Sequence, residues 1–216
     1  ALEIRREKLG VEDCKVADSK EELGRLLSSL GDFEKALPLL KSAMEIRERE
    51  LGPEHPEVGQ AASNLGNVFR MMHQYEKAVP LYKRALAIRE GALGPNHPDV
   101  SNSLNGLAIV YEGMRDYRSA EPLYKRALKI REKTYGRNHP EVAISLNNLA
   151  TLYWNRGQYR TAQPYNNRAL KIQGKILGPD HPDLAHTLNT AANLYQAIGN
   201  FEKTRSVHLR ALKIRK

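Results

Sequence analysis

A spacing of 42 residues constrains this chain more than anything in its composition. Gly10, Gly52, Gly94, Gly136 and Gly178 fall at that interval, as do Phe33, Tyr75, Tyr117, Tyr159 and Phe201, and Ala43, Ala85, Ala127, Ala169 and Ala211. A period of roughly 20–50 residues marks a solenoid or array, in which each unit buries its apolar face only against its neighbours. The period therefore replaces the usual expectation of one or two globular domains for 216 residues. It gives a single array over 1–216: the end of a preceding unit (1–10), then units 11–52, 53–94, 95–136, 137–178 and 179–216.

Each unit reads as two helices. Pro56, Pro98, Pro140 and Pro182 mark the starts of first helices, because proline's missing N–H would be unpaired in the first turn anyway. The acids that follow them, Glu57, Asp99, Glu141 and Asp183, suit the positive end of the helix dipole. In the third unit Val100, Leu104, Leu107, Ala108, Tyr111 and Met114 keep helical spacing. Tyr117, Ala120, Leu123, Tyr124, Ala127, Leu128 and Ile130 do the same for its second helix. Small residues recur where helices must approach closely: Gly66, Ala108, Ala150 and Ala192, with Ala78, Ala120 and Ala162 expected opposite them.

The first unit is irregular, with Asp13-Cys14 where later units carry His-Pro, and Glu21-Glu22 where they carry amides. Its helices are predicted over about 13–30 and 33–51, Asp32 capping the second. Residues 1–9 resemble the tail of a second helix, with Gly10 as its left-handed stop. The fifth unit decays, with Thr204 for the small alanine, and the ragged ends suggest a piece of a longer array. Pro38, Pro80, Pro122 and Pro164 lie inside the second helices, where proline costs up to ~3 kcal/mol; either a bend or a loose first turn would accommodate them.

The net charge is +9, which raises nucleic acid as a partner. Two arginine rows recur with the repeat, Arg84, Arg126, Arg168, Arg210 and Arg47, Arg89, Arg131, Arg215. They are read as a solvated convex face, with Glu48, Glu90 and Glu132 interspersed for local pairing. They lack the aromatic interleaving that single-strand stacking uses, which ranks nucleic acid last among the partners. No run approaches the ~20 apolar residues of a membrane helix, no secretory leader is visible, and the lone Cys14 leaves no internal disulfide; a cytoplasmic setting is expected. His55, His97, His139 and His181 stand one repeat apart, roughly 10 Å for stacked helices. That is too far to share a metal, so they are read as loop caps, with no cofactor and no metal. Without a phosphate loop, a paired thiol or a closed acid–base site, no catalytic residue is assigned and no enzyme is expected.

The run Leu65-Gly66-x-x-Phe69, then Ala78-x-x-x-Tyr82-x-x-Ala85, resembles the tetratricopeptide signature. The 42-residue unit, with Leu-Asn-Asn-Leu-Ala at 146–150, Glu121-Pro122-Leu123-Tyr124-Lys125-Arg126-Ala127-Leu128 and Ile130-Arg131-Glu132-Lys133, resembles the repeats of kinesin light chain. It is also similar to arrays that bacterial signalling proteins carry beside an ATPase or protease. The resemblance implies an all-α fold, a right-handed superhelical solenoid of antiparallel helix pairs whose first helices line a concave groove.

Carried over residue by residue, the groove rows are Gln60, Asn102, Ile144, His186; Ser63, Asn105, Asn147, Asn189; Asn64, Gly106, Asn148, Thr190; Asn67, Ile109, Thr151, Asn193; and Arg70, Glu112, Trp154, Gln196. The peptide-binding set expected from them is Asn64, Asn67, Arg70, Asn105, Asn147, Asn148, Thr151, Trp154, Asn189 and Asn193. Asparagine offers both a donor and an acceptor, so such a row can grip peptide backbone; it can equally satisfy the next repeat. Trp154 reads either as an anchor or as packing on Tyr159 or Met114. With the first unit's Arg25, 42 residues before Asn67, included, Arg25 and Arg70 are the only cations in these rows, fewer than a carboxylate clamp uses. The function expected is a non-catalytic scaffold that binds a peptide segment of a partner protein. The alternatives are a sensor or assembly arm of a larger signalling ATPase or protease, self-associating through its terminal repeats, and, third, RNA binding.

Overall fold

Every regular unit of the sequence opens with histidine and proline, and the fold begins from what those two residues do. In the computed structural model, which describes residues 3, 13–178, 181 and 184–214, Pro56, Pro98 and Pro140 are the first residues of helices. The histidine before each has extended backbone, and its Nδ1 accepts the N–H of Glu57, Asp99 or Glu141 at 3.3, 3.2 and 3.2 Å. In the first unit Asp13 fills the histidine's slot and accepts from Lys15 N at 2.7 Å. Pro182, Gly10, Arg215 and the expected helix tail at 1–9, Glu3 apart, lie outside the described residues.

Ten helices follow among the described residues: α1 (Cys14–Ser29), α2 (Phe33–Leu51), α3 (Pro56–Met71), α4 (Tyr75–Leu93), α5 (Pro98–Gly113), α6 (Tyr117–Tyr135), α7 (Pro140–Asn155), α8 (Tyr159–Leu177), α9 (Leu184–Ala197) and α10 (Phe201–Ile214). Contacts gather them into two compact units, residues 1–116 and 117–216. In the first, α1 packs on α2, α2 on α3, α3 on α4 and α4 on α5; in the second, α6 packs on α7, α7 on α8, α8 on α9 and α9 on α10. Within each unit, successive helices thus bury a stripe against one another, as a repeat stack requires. No described helix is long and apolar enough to cross a membrane.

The core follows the expected faces closely. Val100, Leu104, Leu107 and Ala108 are buried, as are Ala120, Tyr124, Ala127 and Ile130. Met114 is an exception: it is the C-cap of α5 and is exposed. The small residues hold their place, but Gly66 faces the Tyr82 ring and Leu81 rather than Ala78; a Cβ there would lie 3.1 Å from the ring.

Asp32 caps α2 through Lys35 N at 3.3 Å. The four interior prolines leave their helices continuous. All four are exposed, and so are Glu34, Glu76, Arg118 and Arg160 four residues earlier, whose carbonyls lose a partner. Water can serve those carbonyls, which removes most of the expected cost. Gly52, Gly94 and Gly178 do end second helices at positive φ, but with ψ of 155–158°, not as left-handed helix caps. That backbone region belongs almost exclusively to glycine.

The arginine rows overturn the solvated-face expectation. Arg47, Arg89 and Arg131 are buried, at 6, 7 and 4% exposure. Arg89 donates to Gln60 Oε1 at 2.6 Å and Ser63 Oγ at 3.1 Å on α3, and to Ser103 Oγ on α5. Arg131 donates to Glu141 O at 3.3 Å and Ser145 Oγ at 3.0 Å on α7. Each joins neighbouring helices from within, and burial pulls both guanidinium pKa values down, against the pull of Asp99 on Arg89 and of Glu141 and Tyr135 on Arg131. In the other row Arg84, Arg126 and Arg168 are half-buried and Arg210 is exposed; two of them join repeats: Arg84 pairs with Glu48 and donates to Pro53 O at 3.2 Å, and Arg168 pairs with Glu132 at 2.5 Å and donates to Arg137 O at 3.0 Å.

Candidate functional site

In the first unit the polar face of the first helices opens into a cleft between α1 and α3. Its volume is ≈ 260 Å³, and Arg25, Ser28, Asn64, Asn67, Val68, Arg70 and Met71 are among its walls. The two groove cations noticed in the sequence therefore share one cavity. Arg25 is exposed and makes no ion pair among the described residues. Arg70 is half-buried, and its Nε and Nη2 both donate to Asn67 Oδ1 at 3.3 Å. Tyr82 O–H reaches the same oxygen at 2.7 Å.

Glycine is what lets Tyr82 get there. Its ring lies against Gly66 of α3 and Gly106 of α5, where any Cβ would press on it. Gly106, expected in a groove row, serves as a seat for this ring. Burial raises the Tyr82 phenol pKa, with Arg70 acting the other way, so the hydroxyl stays a donor and fixes the Asn67 carbonyl. The Asn67 amide end, on an exposed side chain, is left to face the cleft. The floor is apolar, from Leu40 and Val68. Such a site offers two guanidinium groups and an amide donor over a small hydrophobic floor, which suits a carboxylate-bearing peptide.

Asn64 behaves differently from Asn67. It is 8% exposed, donates to Glu21 Oε1 and accepts from Gln60 Nε2 at 3.1 Å. Its geometry is that of an inter-repeat tie. Ser63 and Gln60 are likewise engaged by Arg89. Asn105 is half-buried.

In the second unit, Asn147, Asn148 and Asn189 are half-buried, while Thr151 and Asn193 are exposed. Trp154 is half-buried and packs on Tyr159, with ring centroids 4.9 Å apart at 57°. Nearby, Glu121 of α6 accepts from Lys125 at 2.7 Å, from Tyr153 O–H at 2.8 Å and from Arg156. Those bonds, Lys125 first, pull its carboxyl pKa down to about 2. Tyr82 and the buried arginines were missed by sequence reasoning. The signal was present: Gln60 and Ser63 stand 29 and 26 residues before Arg89, and Asp18 and Glu21 stand at the same distances before Arg47.

Comparison with known proteins agrees with this architecture. A crystal structure of BtubC (BKLC) from P. vanneervenii superposes with a TM-score of 0.83 at 28% identity, covering 94% of this chain and 80% of that one. The Podosopora anserina putative kinesin light chain with nearly identical TPR-like repeats gives 0.81 at 26% identity, covering 94% and 96%. Aspartyl phosphate phosphatase F from Bacillus subtilis, at 17% identity and a TM-score of 0.66, covers 94% of this chain and 60% of that one and shares the fold alone. A comparison with curated protein sequences finds no match. The tetratricopeptide repeat profile matches residues 15–91, 57–133, 113–175 and 141–216. The chain belongs to the tetratricopeptide repeat family.

Proposed function

We propose that this chain is a non-catalytic scaffold that holds an extended segment of a partner protein on the polar faces of its first helices. The observation that carries this reading is the cleft between α1 and α3, where Arg25, Arg70 and the amide of Asn67 converge above an apolar floor. An acidic side chain or chain end of the bound segment would lie between the guanidinium groups, with its backbone against Asn67. The second unit carries a polar face of its own, with Asn147, Asn148, Asn189 and Asn193 beside Thr151 and Trp154, and Asn105 its counterpart in the first unit; Asn64 belongs to the support of the surface. Repeat proteins of this kind bind through such extended faces.

The test is capture of partners by the purified chain, identification by mass spectrometry, and titration of the best peptide against variants. R25A/R70A is expected to weaken binding about tenfold or more, since both are charge-assisted contacts. N147A/N148A/N189A is expected to weaken it less, with helicity kept in both. Binding unchanged by R25A/R70A refutes the cleft reading.

A second reading, an assembly arm that associates with itself, is favoured by Leu26 on α1, Leu30 at its C-cap, and Phe201, Leu209 and Leu212 on α10, which are 54–73% exposed. Sedimentation over a range of concentration separates the two readings, because self-association makes the mass concentration-dependent.

A further inference from the structure

The positive charge is not spread evenly along the repeats. Residues 117–216 carry 18 lysines and arginines against 6 acids, a net +12, while residues 1–116 carry 16 against 19, a net −3. Of the second unit's acids, Glu121 is bound by Lys125 and Arg156, Glu132 by Arg168 and Glu141 by Arg131. Lys129, Lys133, Lys171, Lys175 and Lys213 are exposed and make no ion pair among the described residues. Their placement is regular. Lys129, Lys171 and Lys213 hold one position of the repeat on α6, α8 and α10, and Lys133 and Lys175 lie one turn further along α6 and α8. The first unit has Glu45 and Ala87 at the first of these positions, and Arg49 and Gly91 at the second. The Arg168–Glu132 pair joins α8 to α6, and an open cleft with Lys171 and Lys175 in its wall lies between α8 and α10. Neighbouring ammonium groups are then about 6 Å apart along a helix and roughly 10 Å apart from one helix to the next. Apolar side chains that are 49–56% exposed stand among them: Ile176 follows Lys175, Leu209 lies one turn before Lys213, and Leu212 is beside it.

We propose that this face of the second unit docks on an anionic lipid surface, its lysines at the headgroups and Leu209, Leu212 and Ile176 at the acyl boundary. The pattern of the charges selects the occupant. A grid that extends in two directions meets charge spread over a plane, whereas an acidic peptide or a nucleic-acid strand follows one line of it. Ammonium groups on long stems act as point charges and need no fixed partner geometry, as mobile headgroups require; arginine forks serve where a carboxylate or phosphate is held in one place. Apolar side chains between the cations add insertion to attraction, as on amphipathic elements that lie in a membrane interface. They would gain nothing from a phosphate backbone. Clusters of roughly 4–8 basic residues are drawn to an acidic leaflet, each residue contributing about fivefold to partitioning. The face lies on the second helices and does not depend on the first-helix cleft proposed above.

The experiment is co-sedimentation of the whole chain with vesicles of phosphatidylcholine alone, or with phosphatidylserine as about a third of the lipid, at low and at physiological ionic strength. Wild type is expected to pellet with the anionic vesicles only, and less as salt rises. K129Q/K171Q/K213Q is expected to weaken partitioning about a hundredfold, three lysines at about fivefold each. Glutamine is a comparable helix former, so circular dichroism is expected to be unchanged. L209S/L212S is expected to weaken partitioning about tenfold at both ionic strengths, as loss of apolar burial does. K41Q/K83Q, on the second helices of the first unit, and R25A/R70A are expected to leave it within about twofold. The proposal is overturned if wild type pellets with both kinds of vesicle alike or with neither, or if the triple lysine variant or L209S/L212S binds as wild type does. It is also overturned if K41Q/K83Q is as damaging as the triple variant. Displacement of the chain by hexaglutamate or a duplex oligonucleotide, at a charge concentration below that of the phosphatidylserine, overturns it too and assigns the face to an acidic protein or to nucleic acid.

Discussion

Arg47 and Arg89 fill the same slot in successive second helices, and each reaches its own first helix and the next one. Arg89 meets neutral oxygens, from Gln60, Ser63 and Ser103. Arg47 meets carboxylates: Asp18 at 2.8 Å, Glu21, and Glu57 at 3.3 Å from Nε. The backbone arrangement is conserved between the two repeats while the charge state of the partner is not. Position in the repeat thus sets which atoms meet, and residue identity sets how costly it is to separate them.

The largest effect expected is at the charged version. Replacing Arg47 by Met leaves Glu21, 8% exposed, without its counter-charge. Breaking a buried pair from one side costs about 3–5 kcal/mol, a large share of the roughly 5–15 kcal/mol that holds a domain folded. Replacing Arg89 by Met removes hydrogen bonds whose acceptors are neutral, and it also relieves the burial of a charge. Its cost is expected at about 1–2 kcal/mol. Urea unfolding of the two variants measures the contrast. A sharper form adds E21Q to R47M: the double variant is expected to be more stable than R47M alone, because no charge is left stranded. Equal costs for R47M and R89M would break the comparison.

Gln173 is the fourth occupant of the slot, one repeat beyond Arg131. Its Oε1 is buried and has no hydrogen-bond partner among the described residues. Here the polar group is a liability, and methionine of similar length is expected to raise stability by about 1 kcal/mol. A loss of stability on Q173M in thermal unfolding would show that this position retains the tie its neighbours make.

These slots mark the boundary of what was legible in the sequence. Period, helix pairs and histidine starts could be read because they rest on local rules: proline in a first turn, a side-chain acceptor before it, apolar residues at helical spacing. The fate of the arginines could not. A charged residue at a fixed repeat position looks solvated until the first helices of two repeats bring Gln60, Ser63 and Ser103 around it. The candidate groove divides in the same way. Arg25, Asn67 and Arg70 line one cleft, but Asn64, three residues before Asn67, turns inward to Glu21. A turn of helix separates the two fates, and only the packing of α1 decides between them.

The smallest expected effect tests whether an ion cluster nearer the surface behaves like the buried one. Glu121 is tied to Lys125, Tyr153 and Arg156, and its side chain is 24% exposed. Its carboxyl pKa is lowered from 4.5 to about 2 in the folded chain. A lowered folded value means that the unfolded state takes up the proton first as pH falls. The contribution is therefore complete above about 4.5 and is lost as pH falls from there toward 2. Solvent screening holds it to about 1 kcal/mol or less. E121Q is expected to flatten that part of the pH–stability curve, measured by urea unfolding between neutral and acid pH. R89M should leave its slope unchanged, because none of Arg89's hydrogen-bond acceptors titrates. A slope in E121Q as steep as in wild type would mean that other carboxylates, those around Arg47 first among them, govern acid unfolding, and the difference between charged and neutral ties would then dominate at low pH as well.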